Sequence, residues 1–200
     1  MPKFITPPKF NLWLEDEAPG DVNECTRCEL CKHKSRIIWG EGNPQGKVII
    51  ILDNPGRRED KEGVPFVCGV RKTIQIAAYT VGFDQRDLYV TYILKCKPKR
   101  AYNKEIARGT CVSYLEQQIR VNKYLMAFCL GDTAVKSFFN DQEKSVKNLR
   151  GSWYQIRGLP TYVSYHPFAV RRRPNLYSNF ITDWEAVKSY VDSITERSPL

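Results

Sequence analysis

Two hundred residues, 42% of them hydrophobic and 26% charged, are enough for one domain with its own core and too apolar for a disordered chain. A net charge of +9 favours a polyanionic partner such as nucleic acid. No apolar run approaches the ~18 residues a bilayer-spanning helix needs, and Met1-Pro2-Lys3-Phe4-Ile5 does not open a signal peptide. A cytoplasmic protein with reduced thiols is therefore expected, and its seven cysteines point to metal binding or catalysis rather than disulfides.

Residues 1–24 carry several prolines and little periodicity, and read as an arm draped over a single domain of residues 25–200. Cys25-Thr26-Arg27-Cys28 follows, with Cys31 three positions on. Gly40-Glu41-Gly42-Asn43-Pro44-Gln45-Gly46 reads as a loop into the first strand. That strand, Lys47-Val48-Ile49-Ile50-Ile51, is short, continuous and β-branched, the pattern of a strand buried on both faces. Leu52-Asp53-Asn54-Pro55-Gly56 thus stands at the carboxyl end of a core strand, the edge where open α/β sheets bind ligands. Turn chemistry alone also explains Asn-Pro and Pro-Gly.

A charged loop over 57–69 holds Pro65-Phe66, and a helix is predicted from Arg71 to Val81. Leu88 to Leu94 is a second strand, running into Lys95-Cys96-Lys97-Pro98-Lys99-Arg100. Asn103 caps a long helix through Ile106, Val112, Leu115 and Ile119, with Cys111 on it. Tyr124 to Leu130 is a third strand, and Gly131-Asp132-Thr133 starts a helix through Val135 and Phe138. Trp153 to Ile156 and Thr161 to Tyr165 are two more strands, the latter ending in His166-Pro167. Arg171-Arg172-Arg173-Pro174 follows, then a helix from about Ser178 to Ile194. This alternation predicts an α/β fold, a three-layer α/β/α sandwich with a mostly parallel central sheet.

Cys25 and Cys28 supply two thiols from one turn, and Cys96 and Cys111 bring a strand end beside the next helix. Four thiolates suit zinc or an iron–sulfur cluster, and Cys31 is an alternative fourth ligand. Cys129, inside an apolar strand, reads as a core residue.

Taken in order, these blocks resemble the uracil-DNA glycosylase superfamily, specifically its iron–sulfur-containing family 4, over roughly residues 22 to 190. The resemblance implies a 4Fe-4S cluster on Cys25, Cys28, Cys96 and Cys111 that serves structure and DNA docking. It implies that the protein flips uracil or a related deaminated base out of DNA and excises it hydrolytically, leaving an abasic site. Asp53, Asn54 and His166 take the catalytic positions: Asp53 or Asn54 stabilises the sugar cation or positions water, and His166 donates to a base carbonyl. Phe66 matches the residue that stacks on the base. Val170 or Arg171 is the candidate wedge in a DNA-inserting loop that includes Arg172 and Arg173. Lys95, Lys97, Lys99, Arg100 and the helix start after Asp132 are expected at phosphates.

Four positions depart from the family pattern. Asn54 stands where family 4 usually has a small residue, and Cys68 where the family often has a glycine. Leu52 stands where the family has a glycine. Tyr92 stands where it has the asparagine that reads the uracil edge, which opens the alternative of another modified base. A DNA-binding module without catalysis is the third reading. The protein is expected to act as a monomer on duplex or single-stranded DNA.

Overall fold

The computed structural model describes residues 13–57, 60 and 69–197. Seven strands form one sheet: β1 (Glu15–Asp16), β2 (Gly40–Gly42), β3 (Val48–Leu52), β4 (Leu88–Tyr92), β5 (Met126–Leu130), β6 (Trp153–Ile156) and β7 (Leu159–Ser164), in the order β1-β2-β4-β3-β5-β7-β6. The four inner strands run parallel, and β1, β2 and β6 add antiparallel edges.

The central strand β3 shows why the sheet is covered on both faces. All five of its residues are buried. Val48, Ile50 and Leu52 enter one apolar cluster with Ile74 and Ala77 of α2 (Gly69–Thr80) and Phe180 and Trp184 of α7 (Tyr177–Arg197). Ile49 and Ile51 enter another, with Leu115 of α3 (Lys104–Val121) and Val135 and Phe138 of α4 (Asp132–Phe139). Alternate side chains of a strand point to opposite faces, so one five-residue run nails both helical layers to the sheet. Each isoleucine buried this fully contributes ~1.5–3 kcal/mol. The expected three-layer α/β/α architecture is the one found.

Three local expectations are corrected. Gly40–Gly42 is a strand rather than a loop, with Glu41 in register with Val90. A Cβ at Gly40 would lie 2.1 Å from the Tyr89 hydroxyl, so only glycine lets β2 close on β4 there. The segment after His166 is not a loop: Pro167–Arg172 forms helix α6, with proline in its first turn and His166 as N-cap. The second strand ends at Tyr92 rather than Leu94. Trp13 and Val22, in the stretch read as an arm, are buried in the domain.

Candidate active site

The parallel strands β3, β4, β5 and β7 all end on one edge, and a cavity of about 760 Å³ opens there. That volume lies in the range of ordinary ligand sites. Asp53, Asn54, Tyr92, His166 and Arg171 all line it, joined by Arg57, Phe168 and the Gly131-Asp132-Thr133 turn.

His166 enters from the end of β7. Its Nδ1 accepts the Phe168 backbone N–H at 3.1 Å, so the neutral ring carries its proton on Nε2. Burial pushes its pKa down to about 4, which keeps the imidazole uncharged at neutral pH. Gly131, at φ 96°, packs directly against it: a Cβ there would lie 2.8 Å from the Cβ of His166. The strand leading to His166 is anchored by Ser164, whose hydroxyl donates to buried Asp183 at 2.5 Å; Arg150 bonds the same carboxylate oxygen at 2.7 Å.

Asp53 follows β3, and its backbone carbonyl accepts the Leu94 N–H at 2.9 Å. Burial pushes its carboxyl upward, against the pull of the Arg108 and Lys104 charges on α3. Arg108 stands 3.7 Å away, too far for a hydrogen bond, and Oδ1 has no hydrogen-bond partner among the described residues. Asn54 donates its amide to the Pro55 carbonyl at 2.9 Å. Its side-chain carbonyl is therefore the group a ligand or water meets.

At the other end of the cavity Tyr92 is 2% exposed, and its hydroxyl donates to Glu41 Oε1 at 3.1 Å. Glu41 is wholly buried and ion-paired with Arg71 of α2.

The rim follows α6. Arg171, Arg172 and Arg173 are exposed, the first lying over Gly69 and the second 5.6 Å from the Phe168 ring centre. Val170, expected as a wedge, is 3% exposed and belongs to the core, because it lies on the inner face of the helix that replaced the loop. Phe168, 51% exposed at the cavity mouth, is the apolar side chain that α6 presents outward. Lys95, expected at phosphates, is fully buried: its Nζ donates to Thr91 Oγ1 and Gln118 Oε1, each at 2.6 Å. Lys99 and Arg100 remain exposed. Phe66 lies outside the described residues.

Away from the cavity, Cys25, Cys28, Cys96 and Cys111 share one apolar cluster with Val22, Leu94 and Ala107. Cys96 and Cys111 are buried and the other two half-buried. Burial, reinforced by the neighbouring cysteines, pushes Cys96 up to about 12 and raises Cys111 as well. Four thiols gathered in one apolar cluster are a donor set that fits a cationic iron–sulfur group. Among the described residues no three His, Cys, Asp or Glu side chains come close enough to share a single metal ion. A four-iron cluster instead spreads its thiolates, one to an iron. Cys31 is half-buried and outside that apolar cluster, and Cys129 is a core residue of β5.

The family model for the uracil DNA glycosylase superfamily matches residues 39–188, three quarters of the chain and every element around the cavity. The chain belongs to that superfamily. The superfamily's members are hydrolases that cleave N-glycosidic bonds in DNA. Three curated relatives are similar over most of their length, each named Type-4 uracil-DNA glycosylase. The protein from Archaeoglobus fulgidus is 28% identical over 86% of this chain and 90% of its own. That from Sulfurisphaera tokodaii is 28% identical over 84% and 80%, and that from Pyrobaculum aerophilum 31% identical over 81% and 87%.

Within this superfamily member, Glu41, Arg71, Arg108 and Phe168 are site features that sequence reasoning missed. Glu41 had one available signal, a single carboxylate one glycine after the apolar run Ile37-Ile38-Trp39. Arg71 had none, since its partner is 30 residues away on another element. No helix among the described residues is long and apolar enough to cross a membrane.

Proposed function

We propose that the protein excises uracil or a related deaminated base from DNA by hydrolysis of the N-glycosidic bond. The observation that carries this reading is one cavity lined by a neutral imidazole from β7 and by the Asp53–Asn54 pair from β3. Cleavage leaves positive charge on the sugar and negative charge on the departing base. His166 Nε2–H is a preorganised donor for the base carbonyl, where such a group is worth ~10²–10³ in rate. Asp53, ionised, stabilises the sugar cation at short range. The Asn54 carbonyl accepts a proton of the attacking water and aims its oxygen at the sugar.

The base must leave the stack before any of these groups can act. Arg57, Arg171, Arg172 and Arg173 supply positive charge at the rim for the flanking phosphates. Phe168 is the side chain placed to fill the gap left by the flipped nucleotide. Cys25, Cys28, Cys96 and Cys111 would hold a 4Fe-4S cluster, which when bound ties the segment before β2 to β4 and α3. Iron and acid-labile sulfide determination on purified protein tests that set, and Cys111→Ser should lose both together with thermal stability.

The decisive assay uses single- and double-stranded oligonucleotides carrying one uracil and scores alkali-sensitive abasic sites. Product with the native protein and at least a hundredfold less with His166→Ala is expected. Product from neither would overturn the reading. Tyr92, at the position of the edge-reading asparagine, favours a second reading in which the base is not uracil alone.

A further inference from the structure

The sheet order places Tyr92 on β4 and His166 after β7 three strand spacings apart, a backbone separation of ~14 Å. Asp53 and Asn54 stand between them at the end of β3. A base in the cavity therefore meets His166 toward one end and Tyr92 toward the other.

A phenol has a single proton to give. Tyr92 gives it to Glu41, and Arg71 hydrogen-bonds the same hydroxyl. Glu41 is 0% exposed and Arg71 8%. The hydroxyl is thus turned into the protein, toward a buried ion pair, and the cavity is lined by the ring. An amide at this place would offer a donor and an acceptor to a base edge, whereas the ring carbons of Tyr92 offer neither.

The distinction has a known size. A site that hydrogen-bonds its substrate rejects an analogue lacking the partner by ~10⁴–10⁵, because its own buried groups are left unpaired; an apolar wall discriminates by only ~10–200-fold. His166 is different, since its Nε2–H is a donor. It accepts any base presenting a carbonyl and opposes one presenting an amino group. Uracil, hypoxanthine and xanthine all present a carbonyl where the parent base had an amino group. They are also mispaired after deamination, which lowers the cost of flipping. The cavity, at about 760 Å³, admits a two-ring base.

We propose that Glu41, Arg71 and Tyr92 form the specificity unit of the site: Glu41 and Arg71 hold the Tyr92 hydroxyl away from the base, and the site consequently releases the deaminated purines hypoxanthine and xanthine alongside uracil. Tyr92 touches the base; Glu41 and Arg71 are positioning residues that act through it. The inference rests on the glycosylase reading above and adds the breadth of its substrate class.

Single-turnover rates on duplexes carrying uracil, hypoxanthine or xanthine test it. The native protein should act on all three, with uracil and hypoxanthine within about 200-fold of each other. Tyr92→Phe should leave that ratio unchanged within about threefold, because the hydroxyl does not face the base. Tyr92→Asn should raise it at least tenfold toward uracil. Glu41→Ala removes the acceptor of the hydroxyl proton and should shift the ratio about tenfold when Tyr92 is present and not at all in Tyr92→Phe, a coupling that a merely structural Glu41 would not produce. Tyr92→Phe keeps the ring and its packing, so the comparison survives if Glu41→Ala fails to fold. Uracil preferred by more than ~10⁴ overturns the specificity unit and leaves the glycosylase reading intact. A Tyr92→Phe shift as large as that of Tyr92→Asn overturns it too. No product from any base overturns both.

Discussion

The two ends of the cavity use polar residues in opposite ways. At the β7 end, His166 is held by one backbone N–H and keeps its Nε2 proton for a ligand. At the β4 end, Tyr92 and Arg71 both bond Glu41 Oε1, and behind them Lys95 bonds Thr91 and Gln118. One end holds a donor facing the cavity; the other turns its polar groups inward and faces the cavity with ring carbon. On the proposed reading, chemistry and base choice rest on different kinds of interaction and should respond differently to mutation.

The sharpest test of that contrast is His166→Ala, which should lower the single-turnover rate by ~10²–10³ while leaving DNA affinity within a few-fold. A loss under tenfold would mean that the donor lies elsewhere. At the β4 end the largest effect should be on folding. Glu41→Ala leaves the Arg71 guanidinium buried without its counter-ion and should cost ~3–5 kcal/mol in urea unfolding. Asn54→Ala, which breaks only a local turn bond, should change stability by ~0.5–1.5 kcal/mol.

The pH–rate profile separates the groups further. His166 is neutral down to about 4, so the rate should show no inflection near the ordinary imidazole range. Burial raises the Asp53 carboxyl, so its ionised form is lost, as pH falls, at a higher pH than for an exposed carboxylate. The acid limb should therefore disappear in Asp53→Asn, and its persistence there would assign it to another group. The smallest effect expected is that of Phe168→Ala. Half exposed, that side chain should leave stability within ~0.5 kcal/mol, yet slow excision several-fold more from duplex than from single strands.

The parts of this arrangement that were legible in the sequence are those whose information is local. β3 announces itself because five consecutive apolar residues need cover on both faces. Asp53, Asn54 and His166 follow, because each directly succeeds such a strand. β2 was not legible: three residues, two of them glycine, have no periodicity, and their strand character comes from pairing with a β4 edge that lies 48 residues on. Helix α6 was masked by Pro167 and a run of arginines that imitate a loop, although proline in a first turn is equally a helix start. Once that segment coils, Val170 turns inward and Phe168 outward, which reverses their roles. Lys95 looked like its basic neighbours, and only the tertiary structure closes Trp39, Thr91 and Gln118 around it.

The two-residue strand β1 carries a practical message for anyone trimming or tagging this protein. Glu15 and Asp16 pair with Glu41 and Gly40, Leu14 accepts the Gly42 N–H at 2.9 Å, and Asp16 accepts the Tyr89 hydroxyl at 2.7 Å. These few bonds are the outer seam of the strand that carries Glu41. A shortened chain starting at residue 17 would expose β2 as a raw sheet edge, prone to sticking to other chains. It would also slacken the support of Tyr92 some distance from the cut. Such a product would keep the His166 end of the cavity and loosen the Tyr92 end, so tags belong well ahead of Trp13.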